Sequence, residues 1–206
     1  MDNIIKTNNN VDMLLLMGGK SKRMGEPKAY LDFFGSTFYE KITKTLSHCG
    51  DIYLSLDKIE NTPKNCKYNI VLDEYNNIGV IGAIYSGLKK IKNEYMFVCA
   101  CDIPYINEQY ISTLISFITK DTNGIFVIDY LGRIEPTASI YSKKMLPIIE
   151  EMITSGDLKI INIIDKMDIK MVPYEKLGIN QFVLQNINTK EEYKKYIVDR
   201  NLNKNN

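Results

Sequence analysis

The stretch Leu14-Leu15-Leu16-Met17-Gly18-Gly19-Lys20-Ser21-Lys22-Arg23-Met24-Gly25-Glu26-Pro27-Lys28 decides the reading of this chain. A short apolar run of strand length stops at a glycine pair. A loop carrying Lys20, Lys22, Arg23 and Lys28 follows before any helical pattern begins. Such a loop brings bare backbone N–H groups and cationic side chains up to a polyphosphate at the carboxyl end of a strand. Two familiar phosphate loops do not fit. Gly19-Lys20-Ser21 imitates the end of a Walker A, but Leu14 stands where that motif needs its first glycine. The dinucleotide fingerprint G-x-G-x-x-G fails because Gly18 and Gly19 are adjacent.

Outward from this loop, apolar runs alternate with segments of helical period, the pattern of an α/β sheet. Strands are expected at Met13–Met17, Ile52–Leu56, Asn69–Leu72, Tyr95–Ala100, Gly124–Asp129, Thr137–Tyr141 and Ile169–Val172. Helices are expected at Phe38–Cys49, Gly82–Lys92, Glu108–Lys120, Lys143–Thr154, Leu158–Lys166 and Glu191–Asp199, the last capped by Thr189 with Glu192 three residues on. Alternation through about residue 120 predicts a doubly wound first half with ligands near a switch point. Arg133–Tyr141 breaks the alternation, so the sheet is expected to be mostly parallel but mixed. The 206 residues read as a single domain, 1–206, with flexible tails at 1–11 and 200–206.

A formal charge of +1 excludes the basic face that nucleic-acid binding needs. No run approaches the roughly 20 apolar residues of a membrane span, and the polar amino end lacks a signal-peptide core. The cytoplasm is the expected compartment. Four cysteines with one histidine and no Cys-x-x-Cys give neither a disulfide scaffold nor a zinc site. Cys99 and Cys101 are expected on one face of a strand, buried and reduced. His48 is expected to flank a helix end.

Further positions carry chemistry. Asp102 closes a buried strand with Pro104 just beyond, and a carboxylate at a sheet edge beside a phosphate loop suits Mg²⁺, which takes one or two carboxylates plus substrate phosphates. Asn107 fits the helix N-cap better than Asp102 does. In Asp73-(x)5-Gly79-Val80-Ile81-Gly82 the glycines would let a base approach the backbone where a helix opens. Asn186 and Asn188 alternate onto one side of an extended segment.

The frame Leu16-Met17-Gly18-Gly19-x-Ser21-x-Arg23-Met24-Gly25-x-x-Lys28 resembles the signature of nucleotidyltransferases with a Rossmann-like fold, and most closely that of the molybdenum cofactor guanylyltransferases. The resemblance extends over Asp73–Leu88, Met96–Ile106, Arg133–Tyr141 and Asn186–Thr189, nearly the whole chain. Met17 replaces a usual Ala, Val80 a usual Pro and Lys190 a usual Pro. The resemblance implies a three-layer Rossmann-like fold and transfer of GMP from Mg-GTP to the phosphate of molybdopterin, with pyrophosphate released. It implies that Leu16, Met17, Gly18 and Gly19 hold the nucleotide, with contacts from Asp57, Asp73, Gly79 and Gly82, and that Asp102 carries Mg²⁺. Arg23 suits the leaving pyrophosphate by its bidentate fork, and Lys28 the α-phosphate as a point charge. Asn186 and Asn188 face the pterin or the metal shell. Transient contact with proteins that deliver or accept the cofactor also follows. A phosphate monoester, with a second pKa near ~6, is already nucleophilic at neutral pH, which accounts for the lack of any His–carboxylate or Ser–His pattern. The alternatives are a cytidylyltransferase for the same pterin, a sugar-phosphate nucleotidyltransferase, and a non-catalytic nucleotide-binding carrier of the cofactor.

Overall fold

The computed structural model describes residues 11–18, 27–75 and 77–198. In chain order its main elements are β1 (Val11–Leu16), a short hairpin of β2 (Asp32–Phe33) and β3 (Ser36–Thr37), α1 (Phe38–Ser47), β4 (Ile52–Leu56), β5 (Asn69–Leu72), α2 (Val80–Lys90), β6 (Tyr95–Ala100), α3 (Glu108–Ser116), β7 (Gly124–Ile128), β8 (Ile134–Ser142), α4 (Leu146–Ser155), β9 (Lys170–Pro173) and α5 (Lys190–Tyr193).

Every residue of β1 is buried, the mark of a strand covered on both faces. Met13 and Leu15 pack with Ile42 and Leu46 of α1 and with Tyr110 and Leu114 of α3. Leu14 and Leu16 point the other way, to Ile84 and Leu88 of α2 and Ile149 of α4. This is the expected three-layer α/β arrangement. Among the described residues the central sheet has seven strands in the order β5-β4-β1-β6-β8-β7-β9. β5, β4, β1 and β6 pair in parallel, and β7 pairs in parallel with β9. Only β8 runs against its neighbours. After β5 the chain crosses back over β1 to β6, which makes the β1/β6 edge a topological switch point.

Several local expectations are met by geometry. Thr189 closes its expected capping box with Glu192, and Thr37, not singled out in the sequence, closes another with Glu40. Asn107 is the N-cap of α3 and His48 the C-cap of α1. Cys99 and Cys101 are buried free thiols, although Cys101 lies just past the end of β6.

Others are corrected. Leu158–Lys166 is not an α-helix: a 3₁₀ helix covers Ile160–Asp165, and burial of Ile160 and Ile163 matches its three-residue repeat. The closing helix is one α turn followed by a π turn at Lys194–Val198, and Asp199 lies outside the described residues. β8 begins at Ile134, three residues before the expected strand. Val11 belongs to β1 and not to a tail. The β2–β3 hairpin was hidden by a phenylalanine at its turn, where Phe34 and Gly35 both take positive φ, 53° and 90°.

Helix α2 reaches the sheet through Gly87. A Cβ there would stand 2.6 Å from Leu14 Cδ2 and 2.9 Å from Met96 Sδ, so the glycine sets how closely the helix lies on β1 and β6. Gly87→Val is expected to destabilise the fold by about 1–3 kcal/mol through overpacking. The check is a lower urea midpoint with an unchanged m-value.

Candidate active site

The parallel strands end at one edge of the sheet, and the chemistry-bearing residues gather there. β1 delivers Met17 and Gly18, β4 Asp57, β5 Asp73 and β6 Asp102. Backbone bonds stitch the edge together. Met17 N–H donates to the Ser55 carbonyl at 3.1 Å, Asp73 N–H to that of Leu56 at 3.1 Å, and Cys101 N–H to that of Leu16 at 3.2 Å. The C-terminal segment joins them when Ile187 N–H donates to the Asp102 carbonyl at 2.8 Å.

At the switch point stands a charge pair. Lys28 Nζ lies 2.9 Å from Asp102 Oδ2 and donates to Asn188 Oδ1 at 2.6 Å. The Lys28 and Asp102 side chains are only 15% and 20% exposed, so each charge compensates the other out of water. The other carboxylate oxygen, Asp102 Oδ1, is buried, and no described residue donates to it. It is an acceptor with capacity for a cation. Among the described residues no group of three or more His, Cys, Asp or Glu side chains surrounds it. A divalent ion here would therefore complete its shell with substrate and water oxygens, which suits Mg²⁺.

A third apolar cluster holds the partners of Lys28 in place. Leu31, Phe33 and Phe38, just after Lys28 in the chain, pack with Ile197 and with Ile187, the residue before Asn188. Tyr193 Oη donates to the Asp32 carbonyl at 2.9 Å, and Tyr105 Oη to that of Tyr196 at 2.6 Å. Residues 160 positions apart in sequence are thereby brought to one point.

On the β4/β5 side Ser55 Oγ donates to Asp73 Oδ1 at 2.9 Å. Burial pushes the Asp73 carboxyl above the ordinary value, the Ser55 hydroxyl pulls it part of the way back, and the charge of Asp57 pushes it up again. Gly79 takes a φ of 79° with open space at its Cβ position, so the backbone is accessible there. Gly82 does a different job from the one expected of it. Its Cβ would meet Ile78 Cγ1 at 2.8 Å and the Tyr75 carbonyl at 3.0 Å, so it lets the preceding loop fold onto α2. Beside these groups a cleft of about 680 Å³ opens, lined in part by Met17, Gly18, Tyr30, Tyr39, Leu56 and Asp57. Asp57 is exposed and accepts a 2.6 Å hydrogen bond from Asn61 Nδ2.

The structure thus joins Lys28, Asp102 and Asn188 directly and ranges Leu16–Gly18, Asp57, Asp73 and Gly79 along the same edge. Asn186 turns to Glu135, donating through Nδ2 to Oε2 at 3.4 Å. Gly19 and Arg23 lie outside the described residues. Two members of the site were missed in the sequence, Ser55 and Glu135. A lone hydroxyl near the end of an apolar strand and a carboxylate before Pro136 were the available signals.

A doubly wound sheet with a glycine loop, a lysine and an edge aspartate at its switch point defines a nucleotide-handling class of α/β protein. Residues 13–169 match the family model of the MobA-like NTP transferase domain. A probable molybdenum cofactor guanylyltransferase of Clostridium perfringens strain 13 is 32% identical over 194 residues, covering 89% of this chain and 94% of that protein. One from Flavobacterium johnsoniae is 32% identical over 184 residues, covering 86% and 92%. Among solved structures, molybdopterin-guanine dinucleotide biosynthesis protein A from Archaeoglobus fulgidus superposes with a TM-score of 0.81 at 19% identity, over 93% of this chain and 99% of that one, a likeness of fold. The chain belongs to the MobA-like NTP transferase family and is a nucleotidyltransferase.

Ser55→Ala removes the hydroxyl that lowers the Asp73 carboxyl, so the Asp73 titration, followed by carboxyl-carbon NMR, is expected to move further up. A raised folded-state carboxyl favours folding while protonated and loses that contribution as pH rises through its titration. The substitution should therefore cost more stability above that titration than below it.

Proposed function

We propose that this protein transfers GMP from Mg-GTP to the phosphate of molybdopterin, releasing pyrophosphate. The observation that carries the reading is the Lys28–Asp102–Asn188 constellation at the switch point, in a chain whose relatives bear the name molybdenum cofactor guanylyltransferase. A phosphate oxygen of the acceptor forms a bond to the α-phosphorus, and the bond from that phosphorus to the bridging oxygen of pyrophosphate breaks. No proton has to move, so the transfer needs no general base.

What this transfer demands is alignment and neutralised charge. Lys28 and Asp102 are opposite charges that would each meet one part of a magnesium–phosphate unit: the ammonium would take a phosphate oxygen and the carboxylate would hold the metal. Asn188 would keep Lys28 in place there. Asp102 Oδ1 is the buried acceptor that fits Mg²⁺, and the ion, when bound, shields the two anionic reactants from one another. Ser55 and Asp73 suit the nucleoside end. Backbone N–H groups around Leu16–Gly19 and the Arg23 guanidinium are assigned to the triphosphate. The cytoplasm is the proposed setting; among the described residues no helix is long and apolar enough to cross a membrane.

The test is pyrophosphate release with molybdopterin, Mg²⁺ and each of the four nucleoside triphosphates. GTP is expected to support turnover selectively; equal or better turnover with CTP, or none with any nucleotide, overturns the reading. Because Lys28 and Asp102 are buried against each other, alanine at either position would strand the other charge. Asp102→Asn keeps shape and an acceptor for Lys28 while removing the metal's charge, and should lower turnover by about 100-fold or more. The rate should also climb with pH on a limb near ~6, set by the second ionisation of the acceptor phosphate and unchanged in every folded site variant.

A further inference from the structure

Strand β8 runs against its neighbours, so it presents its first residues, not its last, at the site edge. Its register with β6 closes at Cys99 and Ala138, leaving Asp102 and Glu135 beyond the last pair at the same end of adjacent strands. Their proximity also shows on a shared neighbour. Burial first, then the Asp102 carboxylate, with Cys101 and Glu135 further, pushes the Cys99 thiol well up.

Glu135 is half-buried and, among the described residues, forms no ion pair. Its Oε1 is filled twice, by Thr137 Oγ1 at 2.7 Å and by Thr137 N–H at 3.3 Å, which fixes the rotamer. Its Oε2 carries only the long 3.4 Å contact from Asn186 Nδ2. The other end of that amide, Asn186 Oδ1, accepts from no described residue. Two acceptors, one of them a carboxylate oxygen, therefore belong to hydrogen-bonded neighbours: Glu135 at the site end of β8, and Asn186 two residues before the Lys28 partner Asn188.

We propose that Glu135 Oε2 and Asn186 Oδ1 form an acceptor-reading pair that takes two adjacent N–H donors of the incoming substrate's heterocycle. The inference rests on the transfer proposed above and adds to it the residue that selects the second substrate. An amino group beside a ring N–H, the edge of a 2-amino-4-oxopyrimidine ring, matches this pair. Guanine and a pterin both carry such an edge. Sheet order separates them: Ser55 and Asp73 stand on β4 and β5, on one side of β1, whereas Glu135 stands across β6 on β8. With the reacting phosphorus over Lys28 and Asp102, the nucleoside occupies the first side and the acceptor the second.

The experiment uses the full chain, GTP, Mg²⁺ and molybdopterin, with Glu135→Gln as the variant. Glutamine keeps size and the Thr137 contacts but turns one acceptor into a donor. Losing a hydrogen bond to a charged group is worth about 10- to 100-fold, so KM for molybdopterin should rise by that factor. KM for GTP, kcat at saturating acceptor and the GTP-induced rise in Tm should stay within about twofold of the unsubstituted protein. An unchanged acceptor KM overturns the inference, as does a rise in the GTP KM alone, which would make Glu135 a reader of guanine. Should Glu135→Gln fail to fold, Asn186→Ala removes the neighbouring acceptor from the same pair and must give the same acceptor-selective rise. An unsubstituted protein with no turnover overturns the transfer itself and this inference with it, whereas normal turnover with an unresponsive variant overturns the inference alone.

Discussion

The contact on which this structure turns is the one between Lys28 and Asp102. Two opposite charges, both largely out of water, are made tolerable by pairing with each other, and Asn188 fills a further donor of the lysine. That requirement reaches far into the fold. Lys28 must be presented by the short segment that follows the glycine loop, Asp102 by the end of the strand beside β1, and Asn188 by a segment near the end of the chain. The aromatic and aliphatic cluster of Leu31, Phe33, Phe38, Ile187 and Ile197 holds the first and third together, and the Ile187–Asp102 backbone bond ties in the second.

Around that pair the sheet divides the labour. β4 and β5 carry Ser55 and Asp73 on one flank, and β8 carries Glu135 on the other. The antiparallel strand that the described residues place in the central sheet makes the second flank possible, because a parallel strand would have put its last residues there and drawn Glu135 to the far edge. A transfer between two large substrates needs such two-sidedness, one bank for each, with the charge pair between them.

Much of this was readable from residue order. The continuous burial implied by Leu14-Leu15-Leu16 and Met96–Cys99 is a strong pattern, and the strands it predicted are there within a residue or two. The glycine frame with Lys28, and Asp102 at a strand's end, marked the site because phosphate and metal chemistry leave few residue types to choose from. What escaped was set by tertiary contact. Ser55 matters only because β5 brings Asp73 to its hydroxyl. Glu135 matters only because β8 enters the sheet from the opposite direction. Asn188 also grips Lys28, a contact between residues far apart in the sequence that residue order does not announce. Gly82 was read as an opening for a base, although its missing Cβ makes room for the chain's own loop.

The clamp around Lys28 has a consequence for when the molecule becomes active. Asn188, Ile187 and Ile197 emerge from the ribosome after the whole sheet, so a nascent chain has its nucleotide edge nearly built while Lys28 still lacks its final restraint. The last restraint on Lys28 is thereby added after the strands are made. In a chain stopped before those residues, the strands could pair while Lys28 lacked the grip of Asn188.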